Sequence, residues 1–140
     1  MTFTEELETI STSDHFSHLA EEIIKKHRTG DVERDFELVK QAIAFIKDHP
    51  NVDLGIPGSL AQFAEEYLGL GYEPVLLESV RRNPNVFTLS MLNRLINSLD
   101  EAQDRRELIS VLRGVLNMRG ITKRVMESAI FYLERQTGEA

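Results

Sequence analysis

The chain contains no cysteine and no tryptophan. Without a thiol it can form no disulfide, no thiolate zinc site and no cysteine nucleophile, which suits a reducing compartment. Proline occurs four times and glycine eight times in 140 residues, too few for a low-complexity tract. No apolar run approaches the roughly 20 residues that span a bilayer, so no membrane contact is expected. The opening Met1-Thr2-Phe3-Thr4-Glu5-Glu6 is acidic where a signal peptide would be basic and then apolar, and a cytoplasmic location is expected. No window alternates β-branched and polar residues long enough for a strand, which excludes a sheet.

Catalytic patterns are missing as well. Glycines 55, 58, 69 and 71 lie in polar or proline-bearing turns with no lysine-serine sequel, so there is no phosphate loop. Ser90 and Ser110 stand in no nucleophile motif. The adjacent carboxylates Glu5-Glu6, Glu21-Glu22 and Glu65-Glu66 would point about 100° apart on a helix, which makes them poor acid/base dyads. His15 and His18 share a helix turn near Asp14, Glu21 and Glu22, but no second helix offers the remaining ligands of such a metal site. They read as solvated histidines, and His27 as a residue favoured by the negative end of its helix dipole. No enzyme activity, metal or cofactor is expected.

What the chain does have is charge, unevenly spread. The net charge is −7, yet residues 1–80 carry 16 acidic and 6 basic side chains against 7 and 10 in residues 81–140, balances of −10 and +3. Such asymmetry suggests a binding surface. The overall sign argues against nonspecific nucleic-acid binding. The arginines of the second half alternate with Asp100, Glu101, Asp104 and Glu107 at helix salt-bridge spacings, so no nucleic-acid partner is expected.

Helical periodicity fills the chain, and about seven helices are expected in one domain over residues 1–140, with 137–140 frayed. Asp14 is placed to cap a helix through Phe16, Leu19, Ile23 and Ile24, and Asp31 the next, with Phe36, Val39, Ile43 and Ile46 on one stripe. Residues 51–58 read as a loop, after which Ser59 is placed to cap a short helix carrying Leu60, Phe63, Ala64, Tyr67 and Leu68. Pro74 begins another, and Asn83-Pro84-Asn85 breaks it. Helices over 86–99, 101–118 and from Thr122 follow, the first with Leu89, Leu92, Leu95 and Ile96 inward, the last with Val125, Ala129, Phe131, Tyr132 and Leu133 around an apolar side.

A shift of 35 positions superposes Val80 on Val115, Val86 on Ile121, Met91 on Met126, Leu95 on Ile130 and Ile96 on Phe131. This echo fits stacked antiparallel hairpins of an α-solenoid, while chance alignment of amphipathic hairpins fits an irregular bundle, and both all-α architectures stay open. On the helix after Pro84, Asn93, Arg94 and Asn97 interrupt the apolar series. Surface placement explains them, or else the two amides bond carbonyls of a neighbouring loop and Arg94 reaches an acidic residue of the first half.

The stretch Leu76–Leu99, LLESVRRNPNVFTLSMLNRLINSL, resembles helical immunity proteins of bacterial polymorphic-toxin and contact-dependent inhibition systems. In these a helix and an Asn-Pro turn lead into a helix rich in Leu, Asn and Arg, often in a HEAT-like arrangement. The likeness extends at most over residues 66–133. It implies a small cytoplasmic inhibitor, monomeric rather than oligomeric, that covers the active site or substrate groove of a cognate toxin C-terminal domain. A nuclease toxin needs a basic groove for phosphates, so its inhibitor would present carboxylates. The residues expected to do so are Asp53, Glu65, Glu66, Glu73 and Glu78, with Tyr72 as an aromatic anchor. A helical adaptor binding another protein or peptide is the alternative.

Overall fold

Apolar residues at three- and four-residue spacing build eight helices in this computed structural model, which describes residues 1–138. Among the described residues there is no strand. Glu139 and Ala140, part of the tail expected to fray, lie outside them. The helices are α1 (Phe3–Thr9), α2 (Phe16–His27), α3 (Val32–Asp48), α4 (Ser59–Glu65), α5 (Tyr72–Arg82), α6 (Val86–Ser98), α7 (Ala102–Val115) and α8 (Lys123–Thr137). Among the described residues, no helix is long and apolar enough to cross a membrane. The chain divides into two compact units, Met1–Val75 and Leu76–Ala140, with the division inside α5.

The first unit gains a helix that the count of seven leaves out. Thr2 and Glu5 form a capping box: the Thr2 hydroxyl accepts from the Glu5 N–H at 3.1 Å, and the Thr2 N–H donates to Glu5 Oε1 at 3.0 Å. The helix so started buries Phe3 and Leu7 and packs on α2 and α3. Carboxylates on its outer side fasten it further. Lys26 Nζ lies 2.7 Å and His27 Nε2 3.1 Å from Glu6 Oε1, and the Lys26 ammonium, with His27, holds the Glu6 carboxyl below its usual pKa. His49 Nε2 lies 2.9 Å from Glu8.

Two expected caps fall elsewhere. The residue before α2 is His15 rather than Asp14, with no side-chain cap bond, and α4 is preceded by Gly58 rather than capped by Ser59. Ser59 is instead the first helical residue and ties α4 to α2: its N–H donates to Ser17 Oγ at 3.0 Å, and its hydroxyl donates to the Ser17 carbonyl at 2.6 Å. A Cβ at position 58 would lie 1.8 Å from the Leu54 carbonyl oxygen, so only glycine fits there. Around this tie α4 packs on both α2 and α3, and the Phe16 and Phe45 rings stack at 5.6 Å.

Asp31 caps α3 as expected, accepting from the Arg34 N–H at 2.9 Å. One turn further in, Asp35 is buried and accepts from the Thr29 N–H at 2.7 Å, the Thr29 hydroxyl at 2.9 Å and the Gly30 N–H at 2.9 Å. Burial alone would raise its pKa. The three hydrogen bonds, helped by the Arg28 charge, outweigh that and set it below the ordinary 3.8.

In the second unit α6, α7 and α8 all touch one another. Asn85 caps α6, its Oδ1 accepting from the Phe87 and Thr88 N–H groups at 2.9 and 3.0 Å, while its own N–H donates to Thr88 Oγ1 at 3.0 Å. Every residue from Val86 to Leu92 is buried, so the first half of α6 is enclosed on all sides, whereas the second half buries only Leu95 and Ile96. The 35-residue echo carries over to burial at Val80 and Val115 but not along the helices that follow. Met91, Leu95 and Ile96 are buried, whereas Met126, Ile130 and Phe131 on α8 are 41–48% exposed. Phe131 therefore stands outside the apolar side assigned to it, its ring under the Arg135 guanidinium at 4.4 Å.

Leu95→Ala should lower unfolding free energy by about 2–5 kcal/mol in urea titration, the cost of an unfilled buried site. For Asp35, whose native pKa is depressed, the stabilisation is present above the unfolded value near 3.8 and disappears as the pH falls through the lower native value. Urea titrations at a series of pH values should show Asp35→Asn less stable than wild type near neutrality, with the difference shrinking in acid.

Candidate partner-binding surface

The acidic surplus belongs to one unit. Met1–Val75 holds 15 acidic and 6 basic side chains, and Leu76–Ala140 holds 8 and 10, balances of −9 and +2. Asp35 is the only buried charged residue among the described residues, so the other carboxylates of the first unit line its surface wholly or in part.

The most shaped part of that surface runs from the end of α2 to the start of α5. After α2 ends at His27, Arg28 turns outward and its guanidinium sits over the Phe63 ring, 5.2 Å from the centroid, with Nη1 and Nη2 at 3.4 and 3.3 Å from the Glu66 carboxylate. The pair is about half exposed, so it orients Glu66 more than it stabilises the fold. Beyond Glu65 the chain leaves the helix, and the Tyr67 carbonyl accepts from the N–H groups of both Leu70 and Tyr72 at 2.8 and 3.3 Å. Tyr67 turns inward between Phe36 and Phe63, each ring centroid 6.0 Å away. Burial, followed by the Asp35 charge, pushes its phenol pKa up.

This turn places the expected site residues differently from one another. Glu66 is exposed and Glu65 half-buried at its start. Glu73 is half-buried at its end, with both carboxylate oxygens 3.1 Å from the Gly69 N–H. Tyr72 is 1% exposed and belongs to the core, so it cannot serve as the surface anchor. The reason is local: the Tyr67 carbonyl captures the Tyr72 N–H and starts α5 with that ring facing inward. Asp53 is exposed in the loop before α4. Glu78 lies in the second unit and pairs with Arg82 Nε at 3.1 Å.

Side chains not picked out as binding residues take the exposed positions. Leu68 and Leu70 on the turn are 46% and 57% exposed, and Val32, the first residue of α3, 53%. The helical stripe assigned to Leu68 fails because α4 stops at Glu65, three residues short of it. Gly71 has φ of +110°, and a Cβ there would meet Phe36 Cζ at 2.9 Å, so the turn lies directly against the α3 face that carries Phe36 and, one turn earlier, Val32.

In the second unit the polar set on α6 is structural. Gln136 Nε2 on α8 donates to Asn93 Oδ1 at 2.7 Å and Asn97 Oδ1 at 2.8 Å, while its Oε1 accepts from Arg105 Nη2 on α7 at 3.1 Å. The asparagine partners are thus a side chain of α8, not the carbonyls of a loop. Arg94 lies exposed on the same helix. A groove of about 340 Å³ is lined by Arg81, Ser110, Val111, Gly114, Val115 and Met118.

No family model, characterised protein or solved structure matches the chain. Its function has to be read from these surfaces. Among the described residues no three His, Asp or Glu side chains converge as a metal site.

Replacing Gln136 by leucine should cost about 1–2 kcal/mol, since it strands two amide acceptors and one arginine that now share a partner. Thermal unfolding of the variant checks it, and an unchanged midpoint would show that α6, α7 and α8 are held together without this node.

Proposed function

We propose that this protein is an immunity protein, one that binds a cognate toxin domain through its acidic first unit and covers the toxin's active site or substrate groove. It acts in the cytoplasm by binding, with no reaction of its own. The observation that carries the reading is the confinement of the charge: a compact 75-residue body with 15 acidic side chains against 6 basic ones, nearly all of the acidic ones at its surface. A nuclease or other phosphate-handling toxin exposes the opposite sign, and such complementarity speeds encounter and rejects wrong partners. An interface of ordinary size, about 1,600 Å², would use some 20 to 30 residues on each side. The likeness of residues 76–99 to helical immunity proteins supports the same reading.

A second reading, a helical adaptor that holds a peptide, is favoured by the groove beside Arg81. Gly114, in the last turn of α7, lines this groove without a side chain, and a Cβ there would meet nothing within 4 Å. Nothing within the described fold requires glycine at that position.

Native copurification from source cells followed by mass spectrometry, then expression of the captured partner with and without this chain, separates the two. The immunity reading expects a partner with a basic domain that arrests growth alone and is harmless in the presence of the wild-type chain. Glu66→Lys combined with Glu33→Lys should weaken that complex mainly through a slower association rate and flatten its salt dependence. A partner that is harmless alone rejects the immunity reading in favour of the adaptor.

A further inference from the structure

Three of the five large exposed apolar side chains described in the first unit, Val32, Leu68 and Leu70, lie where α3 begins and where the chain turns into α5; Met1 and Ile56 lie elsewhere. Single exposed leucines are ordinary, but a contiguous apolar patch rimmed by charge marks a contact surface. Continuity here comes from Phe36. It lies one helical turn after Val32, packs against Tyr67, and fills the space over Gly71 next to the exposed Leu70.

The rim is acidic. Asp31 and Glu33 flank Val32, while Glu66 and Glu73 bracket the turn. Burial and the Asp35 charge raise the Tyr67 hydroxyl pKa most, and the Glu66 and Asp31 charges add to this, so both lie near that hydroxyl. Of the cations nearby, Arg28 pairs with Glu66 and Lys40 with Glu37 at 2.7 Å, while Arg34 is exposed and, like Glu33, has no ion pair among the described residues. The patch is also held in shape before anything binds. Asp35 closes the turn into α3, Gly71 admits the Phe36 ring, and Glu73 fastens the Gly69 N–H. Rigidity of this kind lowers the ordering cost of association.

We infer that the turn Glu66–Gly71 together with the start of α3 is the docking site for a partner segment that inserts leucine-like side chains between Val32, Leu68 and Leu70 and sets lysines or arginines against the surrounding carboxylates. This rests on the partner-binding reading above and adds to it a location and a partner chemistry. Charge alone would bring a basic surface near the unit, whereas this site also demands an apolar anchor, the element that usually carries most of the binding energy.

The test uses the full-length protein and two synthetic peptides of about 14 residues with equal charge, one with leucines at i, i+4 and i+7 among lysines, the other with serine at those places. In amide NMR titrations the leucine peptide should perturb residues 31–36 and 66–73. The exposed double variant Leu68→Ser with Leu70→Ser should keep the wild-type circular dichroism and melting temperature. Its affinity for the leucine peptide should fall about tenfold, with little effect on the serine peptide. Perturbations centred elsewhere, or unchanged affinity in the double variant, overturn the site while leaving the acidic-partner reading in place. Failure of both peptides to bind even at low salt overturns both. Concentration-dependent self-association in sedimentation that the double variant abolishes would assign the patch to a second copy of the chain, and so overturn a foreign partner.

Discussion

The arrangement of the first unit depends on a carboxylate removed from water. Asp35 gathers two backbone N–H groups and a hydroxyl from Thr29 and Gly30, and by doing so fixes the point at which the chain stops being α2 and starts being α3. A buried ionised group without such donors would cost several kcal/mol, so the turn and the charge require each other. What leaves that turn is fixed with it. Arg28 is directed onto Phe63 and Glu66, and Val32 and Phe36 emerge on the face that Gly71 closes upon. The candidate surface is therefore a consequence of one satisfied polar core group rather than of loose surface side chains.

The second unit solves the same problem without a buried charge. Its central polar element is neutral, an amide on α8 that serves two amides on α6 and takes a hydrogen bond from an arginine on α7. Neutral amides are cheaper to cover than carboxylates, and each of these helices contributes an otherwise ordinary amphipathic face. The two units thus differ in kind. The one that carries the acidic surplus also holds the shaped apolar patch, while the other joins a mildly basic surface to a helix α6 whose first half is enclosed.

Much of the fold was legible in the sequence because it rests on short-range signals. Asp31, the Asn83-Pro84-Asn85 break and the Leu89–Ile96 stripe each act within one or two turns, and periodicity finds such features. Helix α1 was legible too, in the Thr2-x-x-Glu5 box, but its seven residues are too few for a periodic stripe to stand out. The surface was much harder to read. Tyr72 looks like a binding residue by type, and only the hydrogen bonding of the Tyr67 carbonyl, which no pattern encodes, turns it inward and leaves Leu68 and Leu70 outside. Gln136 meets its asparagines across 43 and 39 residues, a separation at which single-sequence reading has nothing to say. Burial of Asp35 is similarly hidden, since an aspartate in the first turn of a helix ordinarily faces water.

The division of charge has a further consequence once the histidines are counted with it. All four lie in the first unit, beside its 15 acidic groups. Complete protonation would carry that unit from −9 to +10, while the second would move only from +2 to +10. Acidification would thus make the two bodies electrically alike, and would erase the distinction by which a cationic surface could tell one end of this chain from the other.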